Sequence, residues 1–130
     1  MNENEAKILT KKKNPIEAGR KILKQGCEVV TIKLGANGCL VHTKNALEIV
    51  PGFKAKLVDT TGAGDTFNAA FIFALIKSLQ IKDAAMFANA VGAIKVQKLG
   101  AGKNVPEKKE IIDFLIKHKL EKLLELVKIS

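Results

Sequence analysis

A short turn at residues 59–64, with two glycines and one alanine, separates two kinds of hydrophobic pattern in this chain. Before it, the run from Glu28 to Leu34 is apolar and β-branched and lies between glycines, which is typical of a buried strand. After it, apolar residues recur with helical spacing, first from Asp65 to about Leu79 and then from Asp83 to about Lys98. Because strands and helices alternate along the chain, the sequence predicts an α/β fold with a mostly parallel or mixed sheet.

Shorter patterns predict the remaining elements. One helix is expected from about Glu3 to Leu9, and a second begins at the cap residue Asn14 and ends at Gly26. Residues 39–42 and 46–50 predict a hairpin, and residues 55–58 predict a further short strand. The helix that follows the turn is apolar on nearly all sides, so we expect it to be central, packed against a sheet and covered by its neighbours. The C-terminal segment predicts an amphipathic helix and an apolar tail.

Composition limits the class of protein. The chain has 130 residues, 47% of them apolar, which is enough for one domain with its own core. The N-terminus is acidic and polar, unlike a signal peptide, and no apolar run approaches the roughly 18 residues of a membrane span. Cys27 and Cys39 lack metal-ligand spacing and are interpreted as small core residues in a reducing compartment. We therefore expect a single cytoplasmic domain over residues 1–130 with no membrane partner.

The positive charge of the chain does not by itself predict nucleic-acid binding. There are 22 Lys and Arg residues against 13 Asp and Glu, a formal net charge of +9. The lysines are scattered over predicted helix surfaces and turns and form no single stripe, which favours a solvated surface. The absence of Trp and Tyr also argues against a stacking platform for single strands. Binding of nucleotides or other polyanions without catalysis stays open as the alternative function.

The turn at residues 59–64 carries the chemistry. Its small residues lie directly before a long helix, where the first N–H groups have no intrahelical partner and the helix dipole is positive, so the pattern is typical of a phosphate cradle. Asp65, in the first helical turn, would repel a bound anion. It fits instead a base that takes a proton from a hydroxyl attacking a phosphoryl group. A tight strand-to-helix turn followed by a helix-favourable acid is the alternative interpretation.

Residues 59–68 closely resemble the second signature of the ribokinase-like (PfkB) carbohydrate kinases. The resemblance implies that Asp65 is the catalytic base. It also implies that the anion hole for the transferred phosphoryl group is formed by Gly62, Ala63 and Gly64.

The same resemblance implies a monovalent-cation site, for K⁺, beside the anion hole. Asp59 and Thr61 are the positions that could serve it. The loop after Gly100 departs from the common family pattern at this site.

The N-terminal residues resemble the Asn-x-x-Glu element of the family, which implies that Asn2 reaches the nucleotide phosphates and that Glu5 holds Mg²⁺ through water. A capped helix start is the alternative interpretation of the same residues. Residues 87–101 resemble the adenine-side helix and the loop after it, which implies that Asn89 lies near the base. An exposed residue in the middle of a helix is the alternative for Asn89.

Residues 31–38 resemble the strand and turn that pass beneath the nucleotide, with Lys33 where many members have threonine. The resemblance implies nucleotide contacts for Lys33, Gly35 and Gly38. The two glycines could also be ordinary hairpin glycines. Lys33 ends a buried strand, where an unpaired lysine would be costly and one that meets phosphate would be satisfied.

The resemblance covers only the C-terminal part of the family, because the sugar-contacting signature and the strands of the sugar lid have no counterpart here. It implies the C-terminal part of a Rossmann-like layered ribokinase-type fold and ATP-dependent phosphorylation of a sugar or related hydroxyl, with ATP and Mg²⁺ as cofactors. We expect weak or no activity of the isolated chain, because the walls that orient the acceptor are missing. We also expect self-association through the uncovered sheet edge and apolar face.

Overall fold

The computed structural model of the chain describes residues 1–100 and 104–128. The chain divides into two compact units, Met1–Gly52 and Phe53–Ser130. The first unit contains two helices and a three-stranded sheet, and the second is helical throughout its described elements. One domain over residues 1–130 stays a prediction.

The first unit opens with two helices whose starts are set by asparagine caps. Helix α1 (Glu3–Thr10) follows Asn2, and helix α2 (Pro15–Leu23) follows Asn14. The Asn14 side-chain oxygen accepts from the Ile16 amide at 2.8 Å, and Pro15 occupies the first helical position, where no amide donor is needed. Both helices therefore form where the cap signals predict them.

Three strands form the sheet of the first unit, in the order β1 (Val29–Lys33), β2 (Cys39–Thr43) and β3 (Leu47–Val50). Both neighbouring pairs are antiparallel, with Thr31 opposite Val41 and Leu40 opposite Ile49. Among the described residues, parallel pairing is limited to one bridge between Asn2 and Lys33, so the mostly parallel or mixed sheet predicted from the sequence is there antiparallel apart from this contact. The core of this unit contains Ala6, Ala18, Ile22, Val30, Ile32 and Leu40.

The second unit is built on a helical pair. Helix α3 (Ala63–Ile76) packs on α4 (Ile81–Val96), and alanines on both helices are fully buried and permit close approach. The chain then continues through α5 (Lys108–Lys117), a 3₁₀ turn at Glu121–Leu123 and α6 (Leu124–Lys128). Phe73 of α3 and Phe87 of α4 place their ring centroids 6.4 Å apart.

Two expectations for the second unit need correction. Residues 55–58 form no strand, because the amides of Val58 and Asp59 both donate to the carbonyl of Val96, at the end of α4. Helix α3 is also less enclosed than its apolar sequence indicates, since Ile72 and Ile76 are 55% and 73% exposed.

Both cysteines were predicted to be core residues. Cys39 is buried, but Cys27 is exposed, so the prediction is wrong for Cys27. The exposed position of Cys27 follows from its place outside β1, in the segment between α2 and that strand. None of the helices in the described part of the chain has the length and apolar character needed to cross a bilayer.

Candidate functional site

The turn before α3 takes its shape from Gly62, which has a left-handed backbone with a φ of 76°. A residue with a Cβ would be strained in this conformation. The Ala63 amide donates to the Thr60 carbonyl at 3.0 Å, and the Thr66 amide donates to the Gly62 carbonyl at 2.9 Å. Helix α3 therefore begins directly after Gly62, two residues earlier than its hydrophobic pattern indicates.

The first turn of α3 presents backbone donors. Its N-cap, Gly62, has no side chain, and among the described residues no side-chain hydrogen bond caps this helix. The amides of Gly64 and Asp65 lie where an α-helix offers no intrahelical acceptor, and the helix dipole adds positive potential there. The Ala63 amide is already used by Thr60. The donors that this turn can offer an anion are therefore chiefly those of Gly64 and Asp65.

Asp65 is the third residue of α3 and is exposed to solvent. The structure therefore brings the predicted base into the same helical turn as Gly62, Ala63 and Gly64. A carboxylate in the first turn also interacts favourably with the helix dipole, by about 0.3–1 kcal/mol. Its position alone fits both a base and a helix-stabilising acid.

Asp59 stabilises the turn through three hydrogen bonds. Its Oδ1 accepts from the Thr61 amide at 2.8 Å and from the Thr61 hydroxyl at 2.6 Å, and its Oδ2 accepts from the Gly100 amide at 2.8 Å. The hydrogen bonds from Thr61 and then from Gly100 lower the pKa of the Asp59 carboxyl to about 2, and the charge of Lys95 adds to this effect. Asp59 thereby ties the glycine-rich turn to a residue 41 positions further along the chain.

Lys95 is a buried residue of this region that the sequence reasoning did not single out. It lies near the end of α4, is only 1% exposed, and its Nζ donates to the carbonyl of Gly100. The sequence signal is a lysine between Ile94 and Val96, in the last two turns of α4, where the other residues from position 90 onward are small or apolar. A lysine is almost never fully buried unless it is paired, so this position is unusual.

Asn89 also lies on α4 and is 8% exposed. The alternative interpretation, an exposed residue in the middle of a helix, is therefore wrong for this asparagine. Its predicted place near the adenine base stays a prediction. The loop that follows in the resemblance extends to residue 101, which lies outside the described residues.

The predicted nucleotide residues of the first unit lie at the start of α1 and the end of β1. The Glu5 amide donates to Asn2 Oδ1 at 2.8 Å, and the Asn2 amide donates to Glu5 Oε2 at 2.9 Å. This reciprocal pair is a capping box, so the alternative interpretation as a capped helix start is confirmed. The Asn2–Lys33 bridge brings Lys33 beside the same cap.

The two predicted glycines of this unit differ in their need for glycine. Gly38 has a φ of 93°, and a Cβ there would lie 2.0 Å from the Val50 carbonyl oxygen. Gly35 has a φ of 60° but open space around it. Gly38 is therefore required by the close approach of the chain at residues 50–52, whatever contact it makes with a ligand.

A magnesium site would depend on few protein ligands. In residues 1–100 and 104–128 no group of three or more His, Cys, Asp or Glu side chains could hold a metal ion. Glu5 is exposed and uses one carboxylate oxygen in the capping box. Because magnesium in phosphate-binding sites keeps several waters and needs only one or two carboxylates, Glu5 fits a water-mediated role.

The family is shown by comparison with known proteins. Residues 1–108 match the pfkB family carbohydrate kinase profile. The chain belongs to this kinase family. A ribokinase from Haemophilus influenzae is 39% identical over 119 residues, which cover 88% of this chain and 39% of that protein.

Solved structures of a ribokinase and a fructokinase confirm the ribokinase-type α/β fold. An Arabidopsis thaliana ribokinase complexed with ribose and ATP has a TM-score of 0.80 and 32% identity, covering 88% of this chain and 39% of the other. A fructokinase double mutant from Vibrio cholerae O395, in a form with fructose, ADP and potassium ion bound, has a TM-score of 0.78 and 33% identity, with the same coverage. The chain thus spans about two fifths of the length of the relatives it matches.

Within this pfkB family chain, the predicted site residues fall into two groups. The capping-box pair, Lys33 and the two glycines belong to the first unit. Asp59, Thr61, the anion-hole turn, Asp65 and Asn89 belong to the second unit, together with the unexpected Lys95.

Proposed function

We propose that this chain supplies the nucleotide-binding and phosphoryl-transfer part of a kinase that uses ATP to phosphorylate a sugar or related hydroxyl. The observation that carries this proposal is the start of α3. An exposed carboxylate, Asp65, lies in the same helical turn as backbone amides that no side chain of the described residues caps. A base beside an anion-binding turn is the arrangement that transfer of a phosphoryl group to a hydroxyl needs.

In the proposed reaction Asp65 accepts the proton of the acceptor hydroxyl as that oxygen attacks the γ-phosphorus of ATP. The bond from the γ-phosphorus to the ADP oxygen breaks, and the amides from Gly62 to Asp65, chiefly those of Gly64 and Asp65, stabilise the charge on the transferred group. The left-handed Gly62 leaves the amides of Gly64 and Asp65 uncovered by any side chain of its own. These donors are fixed by the helix before the reaction and need no reorganisation.

The nucleotide side of the proposal rests on Asn2, Lys33, Gly35, Gly38 and Asn89. A backbone bridge pairs Lys33 with Asn2, the residue that caps α1, so a lysine and an asparagine meet at this helix start. Magnesium bound by way of Glu5 would neutralise charge on the phosphates. The Arabidopsis ribokinase, whose structure contains ribose and ATP, supports the choice of ligands.

The isolated chain is proposed to be weakly active or inactive. It spans 39% of the length of the Haemophilus ribokinase, and the sugar-contacting signature of the family has no counterpart in it. Without protein walls that enclose the sugar, water is not excluded from the site and the acceptor hydroxyl is not oriented. Exposed apolar residues such as Ile8, Leu9 and Ile76 support the further proposal that the chain self-associates.

The decisive experiment joins the chain to the N-terminal part of a ribokinase and measures sugar phosphorylation. Asp65→Ala should lower turnover at least about 10²-fold, as expected for loss of a general base. ATP–magnesium affinity of Asp65→Asn should stay within about twofold of the unchanged chain, because the amides of the turn are retained. Unchanged turnover in Asp65→Ala would remove Asp65 from the mechanism.

Asp113→Ala is the matched control for that experiment. Asp113 is an exposed acid on α5, and its loss should leave turnover unchanged. Sugar phosphorylation by the chain alone, at a rate comparable with the joined protein, would contradict the proposed incompleteness.

A second candidate function, binding of polyanions without catalysis, is favoured by one surface of the first unit. A pocket of about 400 Å³ at α2 is lined by Lys12, Glu17, Arg20, Lys21 and Lys24. Four of these five side chains are basic. This function predicts duplex DNA affinity that falls steeply with salt and is reduced in Lys12→Ala and Lys24→Ala, whereas the kinase proposal predicts neither.

A further inference from the structure

Among the described residues, the oxygens of Asp59, Thr61 and Gly100 that could serve a monovalent cation beside the anion hole already make hydrogen bonds within the chain. Both Asp59 carboxylate oxygens accept hydrogen bonds, two at Oδ1 from Thr61 and one at Oδ2 from Gly100. The Thr61 hydroxyl directs its proton to Asp59 at 2.6 Å. The Gly100 carbonyl accepts from Lys95 Nζ. A potassium ion needs several oxygens that replace its water shell, and here each of these oxygens already faces a hydrogen-bond donor of the protein or, for Thr61, directs its own proton to Asp59.

The side chain of Lys95 places a positive charge of the chain's own beside these oxygens. Gly100 links the two charged side chains, because its amide donates to Asp59 and its carbonyl accepts from Lys95. Lys95 reaches this position from the buried face of α4, where it is 1% exposed. Burying a lysine is costly unless an opposite charge or hydrogen-bond acceptors compensate it, and Asp59 together with the Gly100 carbonyl provides that compensation.

A second cation at this place would meet an unfavourable environment. Like charges a few ångströms apart repel strongly where water is partly excluded. The residues present therefore do not fit a potassium site at Asp59 and Thr61, although the resemblance implies one.

We propose that the side-chain nitrogen of Lys95 takes the place of the monovalent cation in this chain. It supplies the positive charge behind the anion-hole turn and fixes Gly100 against Asp59 without a bound ion. Lys95 is thus a positioning residue, since it acts on the turn through Asp59 and Gly100. This inference rests on the proposed function for its meaning in catalysis, but cation binding can be measured without any activity.

The test measures thermal unfolding of the chain in KCl and in choline chloride at equal ionic strength. The unchanged chain should melt within about 1 °C in the two salts, because a ligand stabilises a fold only if it binds. Lys95→Met leaves the Asp59 and Gly100 oxygens without their cation. This variant should melt lower in choline chloride and recover by about 3 °C or more in KCl as potassium fills the place.

Lys82→Met is the matched control, because Lys82 is an exposed lysine on the same helix and should give no potassium response. A rise in the melting temperature of the unchanged chain that saturates with K⁺ would overturn the proposal, even if Lys95→Met fails to fold. A folded Lys95→Met chain with no potassium response would also overturn it, and would leave Lys95 as a structural tie. Neither outcome depends on whether Asp65 is the catalytic base.

Discussion

The starts of α1 and α3 both carry residues that the family resemblance connects with phosphate, but they are built in opposite ways. At α1, Asn2 and Glu5 close the helix start with their own side chains. At α3, Gly62 has no side chain, and in the part of the chain that the structure describes no side-chain bond caps the helix. We call the start of α1, at Asn2 and Glu5, the closed start, and the start of α3, at Gly62, the open start. The closed start satisfies its own backbone donors, whereas the open start keeps donors available for an anion.

The two starts also differ in how they are held. The bonds between Asn2 and Glu5 join residues three positions apart. The turn at the open start is held by Asp59, which accepts a hydrogen bond from the Gly100 amide 41 positions away. Lys95 in turn donates to the Gly100 carbonyl. A helix start that cannot use its own side chains is therefore supported by residues distant in sequence. The stability of the open start should therefore depend on its backbone conformation, and that of the closed start on its cap.

The largest effect is expected at the open start. Gly62→Ala should lower the free energy of unfolding by about 1–2 kcal/mol, because a residue with a Cβ is strained in the left-handed conformation of Gly62. Urea denaturation followed by circular dichroism measures this change. Phosphate affinity should fall as well, since the strained turn shifts the amides of Gly64 and Asp65.

Gly92→Ala is the control for that substitution. Gly92 lies within α4 with open space around it, so alanine there should raise the free energy of unfolding by up to about 1 kcal/mol. Equal effects of the two substitutions would mean that the left-handed turn at Gly62 is not formed in solution.

The elements that sequence reasoning predicted well are those set by local chemistry. The asparagine caps of α1 and α2, the hairpin of β2 and β3, and the break before α3 all follow from residues close together in the chain. The strand at residues 55–58 was wrong because β-propensity cannot show that the carbonyl of Val96, at a helix end, would accept the amides instead of a neighbouring strand.

The candidate site divides in the same way. The turn at residues 59–64 and the helix start after it could be predicted from the order of residues, since both are local features. For Lys95 the sequence offers only a lysine among apolar neighbours on α4, and its contact with Gly100 appears only in three dimensions. The link from Asp59 to Gly100 likewise has no signature in a single sequence.

At the closed start, a smaller effect is expected from loss of the cap. Asn2→Ala should lower the free energy of unfolding by about 1 kcal/mol, because the Glu5 amide loses its acceptor. Asn2→Ser should retain most of the stability, since a hydroxyl can accept the same bond. Comparison of the two variants by urea denaturation separates the cap from the side-chain amide. A Ser variant as unstable as the Ala variant would show that the cap is not the stabilising contact.

The hydrogen bonds of Asp59 at the open start predict that the stability of the chain depends on pH. The pKa of Asp59 is lowered from 3.8 to about 2, so its contribution to stability is present above the ordinary value and is lost as the pH falls through about 2. Asp59→Asn should therefore be less stable than the unchanged chain near pH 6, and the difference should shrink as the pH approaches 2. The effect should be modest because Asp59 is accessible to solvent.

Melting temperatures at pH 2, 4 and 6 test this expectation, with Asp113→Asn as an exposed control that lacks these contacts. A difference between Asp59→Asn and the unchanged chain that grows on acidification would contradict the lowered pKa of Asp59.

The smallest stability effect is expected from Glu5→Gln, and this variant tests whether the closed start has a second role. Glutamine can replace glutamate in a capping box, so the free energy of unfolding should change by no more than about 0.5 kcal/mol. The negative charge that would hold magnesium through water is lost, however. ATP affinity measured with magnesium should then fall, while ATP affinity measured in EDTA should stay the same. If both affinities are unchanged, Glu5 only caps α1, and phosphate chemistry belongs to the open start of α3 alone.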